Sequence, residues 1–165
     1  MTVRVQLADF DLGAEVAALR ADNRGVGAVA SFIGTVRDVS DGARVSTMEL
    51  EHYPGMTEKA LEKIEAAARA RWPLLGVTIV HRVGLLAPLD QIVLVAVASA
   101  HRGSAFAACE FIMDYLKSEA PFWKKEVTPD GAAKWVDARV SDDAALRRWG
   151  IESFNAGSSE SGQEQ

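Results

Sequence analysis

The spacing of apolar and polar positions changes several times along the chain, and each change marks an element. Val3, Val5 and Leu7 alternate with Arg4 and Gln6, the period of a half-buried strand. Asp11 is placed to cap a helix in which Leu12, Val16 and Leu19 keep 3–4 spacing, and Gly25 and Gly27 end it. Ala28 to Arg37 reads as a strand, followed by the polar loop 38–44; Val45 to Tyr53 reads as another, punctuated by Pro54-Gly55. Thr57 to Trp72 carries the clearest helical stripe: Leu61, Ile64, Ala68 and Trp72 share one face, Glu65 and Arg69 form an i,i+4 pair, and Pro73 is the stop. Val77–Val83 and Ile92–Ala98 are strands joined through a turn containing Pro88. The second is apolar at every position, so both of its faces must be covered. Ser104 to Lys117 is a strongly apolar helix that stops before Pro121. Phe122–Val127 and Lys134–Arg139 then pair as a hairpin around Thr128-Pro129-Asp130-Gly131.

The predicted order is β-α-β-β-α-β-β-α-β-β. Strands in adjacent pairs between three main helices argue for an α+β fold with largely antiparallel sheet rather than a parallel βαβ array. Residues 1–150 read as one domain, and the polar stretch 151–165, opened by Gly157-Ser158-Ser159, reads as a disordered tail.

Composition narrows the class. The chain has 165 residues, 48% hydrophobic and 25% charged, which is the composition of one globular domain. No stretch approaches the ~18 uninterrupted apolar residues of a membrane span, and the N-terminal segment carries acids where a signal peptide would be apolar. The single cysteine, Cys109, forbids an intramolecular disulfide, so a reducing, cytoplasmic setting is expected. A net charge of −5 argues against nucleic acid as a partner, and an RNA-binding module would also need a basic, aromatic-studded strand pair. Three of those charges (Glu152, Glu160, Glu164) sit in the tail, which leaves the body at −2. Any anion site must therefore come from local clustering.

Gly25-Val26-Gly27-Ala28-Val29-Ala30 matches a dinucleotide fingerprint, but that mechanism needs a strand before and a helix after the glycines. Here the order is reversed. His52 keeps phase with Met48 and Leu50, and His81 with Val77, Ile79 and Val83, so both point to apolar faces and read as core histidines. With one cysteine and no HxxxH or CxxC spacing, no metal site is expected. Cys109 lies inside an apolar helix without an adjacent base, which suits packing and not nucleophilic attack.

The basic residues are more informative. His101-Arg102 stands between a buried strand and a helix, where side chains and helix amides converge on anions; a structural salt bridge is the alternative. Lys117 ends that helix and either complements its dipole or, crowded with Lys124 and Lys125, supplies a proton donor. Arg37 ends a strand before a loop. A straight helix over 103–117 separates its ends by ~20 Å, so His101-Arg102 and Lys117 of one chain cannot readily grip one small ligand. Either they serve different ends, or a symmetric dimer brings them together.

Several runs carry a resemblance: FIGTVR (32–37), LEHYPGMTEKAL (50–61), RWPLLGVTIVHRVG (71–84), SAHRGSAF (99–106) and FIMDYLKSEAPFWKKE (111–126). From about Gly27 to Trp149, in order and in register, the chain resembles the large, catalytic subunit of molybdopterin synthase. The resemblance implies an α+β fold of α/β-hammerhead type and a sulfurtransferase of molybdenum cofactor biosynthesis. The implied reaction moves sulfur from the C-terminal Gly-Gly thiocarboxylate of a small ubiquitin-like partner to cyclic pyranopterin monophosphate (precursor Z). It also implies a heterotetramer around a central homodimer of large subunits. No cofactor is expected. By the same resemblance Thr35, Val36, Arg37, His101, Arg102, Lys117, Lys124, Lys125, Glu126 and Arg139 bind substrate, with Lys117 and Lys124 catalytic. A thiocarboxylate is itself the nucleophile, which agrees with an unused Cys109. The rival reading is a non-catalytic scaffold that holds the partner and an anion without turnover.

Overall fold

The computed structural model describes residues 3–40, 43–44, 46–136 and 140–151. The elements run β1 (Val3–Gln6), α1 (Leu12–Arg20), β2 (Ala28–Thr35), β3 (Val39–Ser40), β4 (Ala43–Arg44), β5 (Thr47–His52), α2 (Met56–Arg71), β6 (Leu74–Arg82), β7 (Gly84–Leu86), β8 (Gln91–Ser99), α3 (Arg102–Glu119), β9 (Phe122–Val127), β10 (Ala133–Val136) and α4 (Val140–Arg147). The expected α+β order is present, with short additions. β3 and β4 pair within the polar loop, β7 occupies part of the Pro88 turn, and α4 follows the hairpin.

One sheet has the order β1-β6-β8-β2 and a second β10-β9-β5-β7. Among the described residues all pairings are antiparallel except β1 with β6, whose parallel register sets Val5 beside His81. β8 lies inside the first sheet, and its uniformly apolar sequence follows from that position. Val93, Val95 and Val97 meet α2 and α3 through Leu61, Ile64, Ala105, Ala108 and Ile112, while Leu94 and Ala96 meet Phe10, Leu12 and Leu19 on the α1 side. Fully burying each such aliphatic side chain contributes ~1.5–3 kcal/mol, so this central strand organises the core.

Local chemistry sets the ends of the helices. The Asp11 side chain accepts from the Ala14 amide at 2.7 Å and caps α1 as its sequence predicts. Gly55 sits at φ +84, which a side chain would resist, and its N–H donates to Glu58 at 2.6 Å to start α2. α4 had no counterpart among the predicted elements. The turn after it docks through Trp149, whose ring nitrogen donates to Asp114 at 2.7 Å and whose ring meets Trp72 and Phe111 edge to face.

The second sheet presents Met48, Leu50 and Leu86 to Val36 and Val83, forming a smaller apolar cluster. Among the described residues no helix is long and apolar enough to cross a membrane.

Candidate active site

The antiparallel pairing of β2 with β8 fixes two ends of the first sheet. Thr35 lies opposite Gln91 at one end, and Ala28 opposite Ser99 at the other. Arg37 follows β2 and belongs to the Gln91 end; it is exposed. Val36 is buried and locked by its backbone, its N–H donating to Asp90 O at 2.9 Å and its carbonyl accepting from Leu89 at 2.8 Å. His101 and Arg102 follow Ser99 and so stand at the opposite end, both exposed. The His101 carbonyl accepts the Ala105 amide at 3.3 Å, while its side chain does not cap α3.

α3 returns from that end across β8 and β2, and carries Lys117 in its last turn. Fifteen residues at ~1.5 Å separate Arg102 from Lys117 by ~22 Å, so the helix is one rod and the basic set is divided. The Lys117 charge is one of the influences acting on the His81 ring of β6.

β9 supplies the other lysines. Register places Lys124 opposite Leu50 and Glu126 opposite Met48, on the inner face of the second sheet, and Lys124 Nζ lies 3.4 Å from Glu126 Oε1. Lys125 alternates to the outer face, with its ammonium 5.9 Å from the Trp135 ring centroid. The expected crowding of three lysines is therefore broken by strand alternation; Lys124 and Lys125 are neighbours in sequence and strangers in space. Arg139 lies outside the described residues, as does the tail beyond Ile151.

Two histidines meet Phe122, at the start of β9. The His81 ring stacks on Phe122 at 3.7 Å between centroids, and its Nδ1 lies 2.8 Å from the Arg82 carbonyl. Burial pushes its pKa down from 6.5 to about 4. The bond to Arg82 opposes that shift, and the charges of Lys117 and His52 add to it. His52, opposite Phe122 on β5, places Nε2 3.8 Å from Glu58 Oε1. Their sequence phase predicted that both rings point inward; that His81 stacks on Phe122 and His52 lies opposite it came only from the tertiary structure. Cys109 is buried, its thiol pushed up to about 11 by burial and by Glu110, which disables it as a nucleophile.

Other features do not compete. A groove of about 600 Å³ between α1 and β6 is lined by Arg4, Glu15, Leu19, Arg69 and Thr78 and holds none of the candidate residues. Its cations are already paired, Arg4 with Glu15 and Arg69 with Glu65. Among the described residues no three His, Cys, Asp or Glu side chains are grouped to hold a metal.

The sequence profile of a family described as "MoaE protein" matches residues 5–119. The chain belongs to the MoaE family. A relative named molybdopterin synthase catalytic subunit, from Ralstonia nicotianae, is 72% identical over 155 residues, covering 94% of this chain and 88% of the relative. The solved structure of a molybdopterin biosynthesis MoaE protein from Burkholderia ambifaria is similar at 68% identity and TM-score 0.79, over 92% of this chain and 99% of that one. Molybdopterin synthase from Staphylococcus aureus is similar at 34% identity and TM-score 0.74, over 81% of this chain and 95% of that one. As a MoaE chain, the protein carries both basic groups, at Arg37, Lys117 and Lys124 and at His101-Arg102.

Proposed function

We propose that the chain is the catalytic subunit of a cytoplasmic molybdopterin synthase. It takes sulfur from the thiocarboxylated C-terminus of a small ubiquitin-like subunit and transfers it to cyclic pyranopterin monophosphate to form the molybdopterin dithiolene. Membership of the MoaE family at 72% identity to a named catalytic subunit carries the reading. The chemistry of the residues fits it. The sulfur comes with the partner, so the buried Cys109 has no part. The substrate is anionic and needs fixed cationic donors.

In this reading Lys117 and Lys124 move protons and stabilise charge as sulfur adds, with Glu126 holding Lys124 in place at 3.4 Å. Arg37, His101 and Arg102 hold the phosphate and the pterin. Thr35, the Val36 backbone, Lys125 and Arg139 complete the pocket wall.

In this reading a second copy completes the site, because ~22 Å of helix separates Arg102 from Lys117 within one chain. β2 ends its sheet, with Phe32 41% exposed on it and Phe106 66% exposed on the overlying α3. An open strand edge flanked by two exposed aromatic rings suits a copy of itself related by a two-fold axis. Antiparallel approach along β2 sets the Ala28 end of one chain beside the Thr35 end of the other. His101 and Arg102 of one copy then face Arg37 and Lys117 of its partner.

The test is incubation with precursor Z and thiocarboxylated small subunit, reading dithiolene product. Lys117→Ala should abolish transfer while leaving fold and partner binding intact. Arg102→Ala should mainly raise KM. Partner binding without product in the unaltered protein would instead establish a scaffold.

A further inference from the structure

We propose that Thr57 is a positioning residue for the reaction: its buried hydroxyl clamps the corner between α3 and β9 and so sets the spacing of Lys117 and Lys124. The inference rests on the proposed roles of those two lysines and adds a residue that neither role requires.

Lys117 stands in the last turn of α3 and Lys124 in β9, so residues 118–123 decide how the two are presented to one another. Pro121 breaks the chain between the two elements. It has no N–H to continue helix or ladder, and Ala120 before it is already extended, at φ −76 and ψ 131. The Phe122 amide then turns back to the Ala120 carbonyl at 2.9 Å, and pairing with β5 begins at Phe122 opposite His52.

The carbonyl of Pro121 is held from a distant part of the chain. Thr57, in the first turn of α2, is 0% exposed. Its Oγ1 donates to the Pro121 carbonyl at 3.1 Å and accepts the Tyr53 N–H at 3.1 Å. Only a group that donates and accepts at one atom can join these two backbones, and a hydroxyl does so. The start of α2 makes no other call on it: the Gly55 amide donates to Glu58 at 2.6 Å, and the Thr57 amide to the Tyr53 carbonyl at 2.9 Å. Valine, of the same shape, would fill the position equally well; the hydroxyl adds these two bonds.

Two ring contacts lie on the same segment. Phe122 stacks on His81 at 3.7 Å, and Trp123 meets Tyr53 edge to face at 4.4 Å. Rings in contact can slide, whereas a buried hydrogen bond is directional and fixes the backbone carbonyl itself. Without it the corner can shift, and ~1 Å of misplacement of a catalytic group costs on the order of 100-fold in rate.

Two substitutions separate the hydroxyl from the packing. Thr57→Val keeps the volume and removes both bonds; Thr57→Ser keeps the hydroxyl and removes a methyl group. With precursor Z and thiocarboxylated small subunit, and with near-ultraviolet circular dichroism and partner binding followed at the assay temperature, Thr57→Val should lower kcat about 10–100-fold with KM little changed. Thr57→Ser should keep most of the activity. Asp114→Ala, which loses bonds to Trp149 and Arg148 away from the corner, controls for destabilisation alone and should stay near full activity. Full activity in Thr57→Val, equal losses in Thr57→Val and Thr57→Ser, or the same loss in Asp114→Ala overturns the inference. So does a Thr57→Val chain that fails to fold, since the hydroxyl then serves the fold as a whole. Lys117→Ala distinguishes the two levels. If it is active, the role of Lys117 fails and the inference with it; if it is inactive while Thr57→Val is fully active, only the inference about Thr57 falls.

Discussion

His81 makes a stability prediction that can be worked through. In the unfolded chain its imidazole titrates near 6.5, whereas in the folded protein burial holds it to about 4. Between these values the unfolded state binds a proton that the native state refuses, so stability falls as pH falls. The contribution is fully present above about pH 6.5, declines by about 1.4 kcal/mol per pH unit below that, and reaches about 3 kcal/mol lost near pH 4. That is a large share of a typical 5–15 kcal/mol folding free energy. His81→Phe keeps the aromatic volume and cannot titrate, so its stability should be less sensitive to acid by the same amount. Urea unfolding followed by tryptophan fluorescence, at fixed protein concentration from about pH 7.5 to about pH 5, measures the two slopes. Carboxylates such as Asp9, which Gln91 holds low by hydrogen bonding, contribute equally to both proteins and cancel. By about pH 5 the unaltered protein should have lost about 2 kcal/mol more than His81→Phe. Parallel pH dependences would mean that the folded ring takes up its proton as freely as the unfolded one, which would refute the neutral, dry environment deduced for it.

Other outcomes follow from the same geometry. Cys109, with its thiol pushed up to about 11, should resist alkylation at mildly alkaline pH until the protein unfolds, and Cys109→Ala should retain sulfur transfer; loss of activity with the fold intact would implicate the thiol. Gly27→Ala should destabilise by roughly 1–3 kcal/mol in urea unfolding, because a Cβ there would lie 2.2 Å from the Ala100 carbonyl oxygen, next to His101. Mixing inactive Lys117→Ala with inactive His101→Ala chains should restore part of the activity, since one of the two sites in a mixed dimer is intact; no recovery after verified subunit exchange would count against the shared site. Asp114→Ala removes the acceptor of Trp149 and one of the two acceptors of Arg148, and should lower the thermal midpoint by several degrees, with Lys117 chemistry preserved.

Periodicity and punctuation were sufficient for the elements, because these are local properties of the chain. The Leu61-Ile64-Ala68 stripe, the Asp11 cap, Pro54-Gly55 before α2 and the all-apolar β8 each specify a local conformation and which face must be covered. Helix length alone was enough to separate His101-Arg102 from Lys117. Register and strand order were not legible, since they depend on which distant segments cover which faces. β1 joining β6 in parallel, β7 joining β5, and α4 leading into the Trp72-Phe111-Trp149 cluster all arise from contacts far apart in sequence. The same limit governs the candidate site. Residue type and resemblance named Arg37, His101, Arg102, Lys117 and Lys124. Alternation in the predicted strand 122–127 already turns Lys125 away from Lys124, but only the tertiary structure paired Lys125 with the Trp135 ring and put His81 against Phe122. A strand's two-residue alternation is written in its sequence, but the neighbour that each face meets is decided when the sheets pack.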